Sequence, residues 1–325
     1  MKILQIGAYP KFAILEVPTP EPGSGEVLLR VEGVTTCPQW DLHLRHNAPM
    51  FPGHKFTYPY TPGQPGHEAA GTIAALGAGV TGLEVGDRVS AWRDQGHSRP
   101  GCYAQYAILA AENVIRVPVS LPVQATAPLE LAMCVGALIP MLNEMRAIAG
   151  KCVAINGLGP AGLIAAQMVR AEGASVIIGF ELSEERRKLA KTLGFVDNAY
   201  DPRIPNETIY PERPNKTHID TGIDCIGAKS SVEWLMDRVS DTLALFGVQR
   251  ESYEFAPRHY HPALRLCGYQ GHSRKAAEYA VSLIEAGKLD LSALVTHNFP
   301  LERYNDAIDL LEKQVAIKVC FLPWG

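Results

Sequence analysis

The chain has 325 residues, 47% of them apolar and 20% charged, with a formal net charge of −4 and a pI near 6.2. This mixture excludes an intrinsically disordered chain and argues against a dedicated nucleic-acid binder. The length sets an expectation of two domains. No run of about 18 apolar residues is present, so no transmembrane helix and no membrane partner are expected. Met1-Lys2-Ile3-Leu4-Gln5 lacks the apolar segment of a signal peptide, so the expected location is cytoplasmic.

In chain order, the first part, to about residue 120, reads as β-rich. Glu26 to Val31 alternates weakly after the turn cluster Pro18 to Gly25. Ala70 to Leu76, Asp87 to Ala91 and Tyr103 to Ala110 are further short strands, punctuated by Gly77, Gly79, Gly82 and Gly86. Only Asp41 to His46 suggests a helix here. After about Pro128 the pattern changes. Lys151 to Asn156, Ser175 to Phe180, Ile219 to Ile226, Thr242 to Phe246 and Ala263 to Cys267 read as strands, with helices over Pro160 to Glu172 and Glu184 to Leu193. Strands alternating with helices at this spacing imply a parallel sheet covered on both faces. Ser273 to Ala286 and Tyr304 to Leu311 carry helical apolar stripes, Gly287 standing where a C-terminal cap belongs. Val315 to Leu322 closes the chain as a strand. The seven cysteines (Cys37, Cys102, Cys134, Cys152, Cys225, Cys267 and Cys320) are odd in number and scattered, which suits free thiols, buried small side chains or a metal ligand rather than a disulfide framework.

Gly157-Leu158-Gly159-Pro160-Ala161-Gly162 follows the strand ending at Asn156 and opens the next helix. An acid, Glu181, ends the following strand, 24 residues beyond Gly157. In this context Gly157 permits the tight turn, Gly159 lets the backbone approach a pyrophosphate, and Gly162 lets helix and sheet pack closely. Pro160 and Ala161 lie in the first turn, whose free N–H groups suit phosphates. Glu181 would accept from ribose hydroxyls and repel a 2′-phosphate, favouring NAD over NADP, while Arg186 or Arg187 could partly offset that repulsion.

Two further segments carry a resemblance. Pro62-Gly63-Gln64-Pro65-Gly66-His67-Glu68-Ala69-Ala70-Gly71 runs on to Gly86-Asp87-Arg88-Val89, and Cys37-Pro38-Gln39-Trp40-Asp41-Leu42-His43 precedes it. With the glycine fingerprint, and with Leu294 to Phe299 and Ala316 to Val319 near the end, they resemble the zinc-type alcohol dehydrogenases of the medium-chain dehydrogenase/reductase superfamily, on the polyol and threonine dehydrogenase side. The resemblance covers nearly the whole chain. It implies an α/β protein with a GroES-like β-rich catalytic domain, residues 1–128 and 273–325, and a Rossmann doubly wound parallel-sheet domain, residues 129–272.

The resemblance also implies a ligand set, checked residue by residue. His67 matches the family's zinc histidine, and the adjacent Glu68 sits close enough to enter the metal's shell. Glu130 resembles the third-ligand glutamate, with Cys134 as the competing candidate. Cys37 is one residue further from Asp41 than the family pattern has it. Aligned on Asp41 and His43 the ligand slot falls on Pro38, and aligned on Cys37 the loop needs a bulge. Asp41 would accept the second imidazole N–H of His67, and His43 resembles the proton-relay histidine. The four-cysteine structural-zinc lobe is missing, its place taken by Asp94 to Gly101, so at most one zinc per chain is expected. Trp40, Met50, Phe51, Tyr58 and Tyr60 either line a pocket or fill the core. Tyr253 to His261 reads as a surface or subunit-contact loop, its alternate histidines leaving a second metal open.

The implied activity is reversible hydride transfer between NAD and an alcohol of secondary or polyol type, with a catalytic zinc and a small-molecule substrate, in a homodimer or homotetramer. Two other readings stay open: a zinc-free NAD(P)H-dependent quinone or enoyl reductase of the same superfamily, and a non-catalytic dinucleotide-binding protein.

Overall fold

Turn glycines and short alternating runs at the start of the chain build one sheet, and the strand–helix alternation after it builds another. The computed structural model describes every residue except 52, 207–208, 211–217 and 261–262. The chain divides into two units, Met1–Met133 with Asp290–Gly325, and Cys134–Leu289. The return to the first unit comes at Asp290, later than the expected 273. The amphipathic helix Arg274–Glu285 belongs to the second unit, where Tyr279 donates to Glu172 at 2.7 Å.

In the first unit a seven-stranded sheet is organised by the long strand Glu26–Thr35. Its first half pairs antiparallel with Tyr106–Ala110, its full length with Glu68–Leu76, and its last residues with Lys318–Phe321. Thr35 stands opposite both Glu68 and Cys320. Side chains two apart on a strand share a face, so Glu68, Thr35 and Lys318 project together. Below lies an apolar core that includes Leu29, Val31, Ile73, Val89, Tyr103 and Phe321. Met50 and Tyr60 belong to this core, Trp40 and Tyr58 pack on it, and Phe51 is exposed.

The second unit is a six-stranded, all-parallel sheet. Its order is Asn198–Tyr200, Val176–Phe180, Cys152–Asn156, Ile219–Asp224, Val239–Leu245, Arg265–Gly268. Counted within the unit this is the doubly wound order 3-2-1-4-5-6, with the switch point beside the first strand. The glycine fingerprint leaves that strand. The described part of the Tyr253 to His261 segment lies mostly at the surface, as expected, with Glu254, Phe255, Pro257, Arg258 and Tyr260 exposed, but His259 is fully buried, accepting from Ala256 N at Nδ1 (3.0 Å) and meeting Asp237 Oδ1 at Nε2 (2.8 Å). His261 lies outside the described residues. The helical run Val123–Glu144 has the length and hydropathy of a membrane span, unlike the expectation, but 78% of its most apolar window is buried within the protein, as in a core helix.

Candidate functional site

The cluster in the first unit begins where strand Glu26–Thr35 runs into helix Pro38–Arg45. Cys37 is the N-cap of that helix, in extended conformation, and Pro38 takes the first helical position, where a missing N–H costs nothing. Pro38 is thus helical, and Cys37 is the residue delivered to the cluster. His67 enters from the other side, one residue before strand Glu68–Leu76. It gets there because Gly66 passes against Tyr103, where a Cβ would lie 2.6 Å from Tyr103 N. His67 Nδ1 meets Pro65 O at 2.8 Å. A carbonyl only accepts, so Nδ1 carries a proton and Nε2 is the one ring nitrogen left to face a ligand.

Single ligand atoms of Cys37, His67 and Glu68 lie within 4.8 Å of one another. Glu130, in the first turn of helix Leu129–Gly136, places Oε2 3.7 Å from His67 Nε2, and both side chains are buried. Cys134, one turn along that helix, accepts from Tyr269 Oη at 3.3 Å. Burial disfavours charge on His67, but Cys37, Glu130 and Asp94 outweigh it and hold the ring well above its ordinary value. A soft sulfur, an imidazole nitrogen and a carboxylate oxygen form the donor set of a catalytic zinc site.

Glu68 is close to this set but already engaged. Lys318 Nζ donates to Oε1 and Oε2 (2.5 and 2.6 Å) and to Thr36 O (2.7 Å), and Thr35 Oγ1 donates to Oε2 (3.0 Å). The ammonium thereby uses its three protons. Burial raises the Glu68 carboxyl, with Lys318 and His67 working against the rise.

Asp41 corrects one expectation, since it does not accept from His67. The helix carries it inward, where it is fully buried and accepts from Tyr103 Oη (2.8 Å), Tyr304 Oη (3.1 Å) and Cys37 N (2.9 Å). It fixes the Cys37 backbone and acts on His67 through charge alone. Burial pushes its carboxyl up to about 6 despite the tyrosine hydroxyls. His43 Nδ1 meets Ala48 O and Pro49 O, each at 3.1 Å, so its Nε2 keeps the lone pair. Among the described residues no hydrogen bond joins it to Cys37 or His67.

Sequence reasoning took Asp94 to Gly101 only as the replacement of the structural-zinc lobe and named no ligand in it. Ligand atoms of His67, Asp94 and His97 also lie within 4.8 Å of one another. The Asp-x-x-His spacing was the available signal. Lys318 was likewise visible only as part of a terminal motif.

In the second unit, Gly157 has φ +90°, and a Cβ on Gly162 would lie 1.8 Å from Gly157 O. Gly159 is the N-cap of helix Pro160–Ala171 and makes no side-chain cap to the first turn, which holds Pro160, Ala161 and Gly162. Glu181 accepts from Leu158 N at Oε2 and Ser183 N at Oε1, both at 3.0 Å. A carboxylate has about four lone-pair sites, so each oxygen retains capacity for a hydroxyl. Arg186 Nη1 comes within 4.0 Å of where a Gly159 Cβ would be, and its buried Nε has no hydrogen-bond partner. Arg187 instead donates to the carbonyls of Glu181 and Leu182.

Residues 23–119 match the family model described as the alcohol dehydrogenase GroES-like domain, and residues 160–283 match that of zinc-binding dehydrogenase. The L-threonine 3-dehydrogenase of Pyrococcus abyssi is 30% identical over 340 residues, covering 95% of this chain and 94% of that protein. The sorbitol dehydrogenase of Halalkalibacterium halodurans is 27% identical over 343 residues, covering 96% of each. Among solved structures, galactitol-1-phosphate dehydrogenase from Escherichia coli aligns with a TM-score of 0.83 at 22% identity, over 99% of this chain and 100% of that one.

Proposed function

Because this chain belongs to the zinc-type alcohol dehydrogenases of the medium-chain dehydrogenase/reductase superfamily, oxidoreductases acting on CH–OH groups, we propose that it exchanges hydride reversibly between NAD and a secondary or polyol-type alcohol, with a single catalytic zinc in each chain. The observation that carries this reading is the meeting of Cys37, His67 and Glu130, from three separate elements, around one buried imidazole nitrogen. The buried His97 Nε2 beside it, without a hydrogen-bond partner, is a further sign that the cluster fits an ion.

Cys37, His67 and Glu130 would hold the zinc. When bound, zinc supplies Lewis-acid polarisation of the substrate oxygen, and the nicotinamide supplies hydride exchange. The remaining work falls to the chain. Pro65 O fixes the His67 tautomer, and Asp41 fixes the Cys37 backbone. Lys318 neutralises Glu68, so a second full carboxylate does not confront the site. His43 Nε2 is the candidate acceptor of the alcohol proton. In the second unit the helix start at Gly159 and the Arg186 guanidinium would hold the pyrophosphate, and Glu181 would accept from the ribose hydroxyls, which favours NAD.

The test is a panel of secondary alcohols, polyols and hydroxy amino acids assayed with NAD and NADP, following the absorbance of the reduced nicotinamide. Turnover of at least one member, at higher kcat/KM with NAD, is expected, along with its loss in Cys37→Ser. No turnover of any alcohol by zinc-loaded protein, with reduction of quinones or enones instead, would overturn the reading.

A further inference from the structure

We propose that, in the substrate-free protein, His97 is a further protein ligand of the metal centre built on His67, held in place by Asp94 and Tyr60 and occupying the position that the substrate oxygen takes over. The inference rests on the zinc reading above and extends it to a segment outside the ligand set read from the sequence.

The argument starts from the number of lone pairs. Two triads converge on His67, one with Cys37 and Glu68 and one with Asp94 and His97. The His67 ring can offer an ion a single nitrogen, Nε2, because Nδ1 donates to Pro65 O. One lone pair serves one ion, so the two triads describe a single centre approached from two sides. On the first side Glu68 is tied to Lys318 and Thr35. On the second side His97 is held by fewer and longer contacts. Its Nδ1 meets Tyr60 Oη at 2.7 Å, while its Nε2 is buried and has the Asp94 carboxylate as its neighbour, with Oδ2 at 3.3 Å. A histidine with one nitrogen hydrogen-bonded and the other beside a carboxylate of the same triad has an arrangement that suits a metal-bound imidazole.

The segment is also held ready. The Trp40 and His97 rings lie 3.8 Å apart, centroid to centroid. Gln64 Nε2 donates to Gly96 O and Arg99 O (3.1 and 3.0 Å), and Asp94 Oδ1 accepts from Gly96 N (2.8 Å). With these bonds formed, His97 needs little further ordering to coordinate.

The experiment is zinc K-edge X-ray absorption on the zinc-loaded full chain, with chelator competition for affinity, for wild type, His97→Asn, His97→Gln and Cys37→Ser. Two imidazole ligands and one sulfur are expected in wild type, and one imidazole in both His97 variants. Zinc affinity in those variants should fall by at least about 10–100-fold, the range seen even for residues that only support a ligand. One imidazole in wild type, with unchanged spectra in the His97 variants, would overturn the inference while leaving the zinc reading intact, provided Cys37→Ser loses the sulfur. Failure of wild type to bind zinc at all would sink both. The wild-type imidazole count decides the matter even if a variant does not fold.

Discussion

Replacing Lys318 by methionine keeps the length of the side chain and removes its charge. Glu68 is then left 1% exposed, with Thr35 Oγ1 as its remaining bonded donor. At the 2.5 Å separation of Nζ and Oε1, an effective dielectric of about 20 gives a gross attraction of roughly 6–7 kcal/mol, which offsets a desolvation cost of several kcal/mol per ion. Removing one partner of such a pair costs about 3–5 kcal/mol, because the other charge stays buried. In a unit of this size each kcal/mol lowers Tm by roughly 2–4 °C, so Lys318→Met should melt about 6–20 °C lower by calorimetry. Glu68→Met alone should behave similarly, leaving an ammonium with only the Thr36 carbonyl. The double variant should recover most of the loss, since an apolar pair often replaces a buried ion pair at little cost. A Lys318→Met protein melting within about 2 °C of wild type, or a double variant as unstable as the two single losses added, would refute the reasoning.

Gly162→Ala would place a methyl carbon 1.8 Å from Gly157 O; the phosphate turn must shift, and NADH affinity by fluorescence titration should fall at least about tenfold, equivalent to roughly 1.4 kcal/mol. Glu181→Ala removes the acceptor of Leu158 N and Ser183 N and the charge facing a 2′-phosphate, so the kcat/KM ratio of NAD to NADP should shift toward NADP by about tenfold or more. Tyr103→Phe deletes the 2.8 Å hydrogen bond to Asp41 and should destabilise the first unit by about 1.5–3 kcal/mol in thermal melts. Tyr304→Phe should cost less, its bond to Asp41 being longer at 3.1 Å.

Local signals in the chain were readable because the physics behind them is local. The turn at Gly157, the helix that Pro160 begins and the acid at Glu181 all lie within one strand–helix–strand stretch, and the structure keeps them together. The helical stripes of Ser273 to Ala286 and Tyr304 to Leu311 likewise follow from spacing alone. Partners set by strand register or distant packing were not readable. Asp41 meets Tyr304 263 residues away, so its preference for two tyrosine hydroxyls over His67 leaves no mark near either residue. Lys318 reaches Glu68 only because strands Lys318–Phe321 and Glu68–Leu76 flank Glu26–Thr35 in the register observed. The Cys37 spacing was ambiguous because the irregular loop it implied is the start of a helix, with Pro38 as its first residue. His97 sits in a loop without periodicity, and only the fold turns that loop toward His67.

The most direct test of the account is the metal content of the full chain, purified without added metal and measured by elemental mass spectrometry. About one zinc per chain is expected, with Cys37→Ser and His67→Ala both depleted, because each loses a protein ligand of the site. No zinc in wild type, unchanged after reconstitution, would contradict the account.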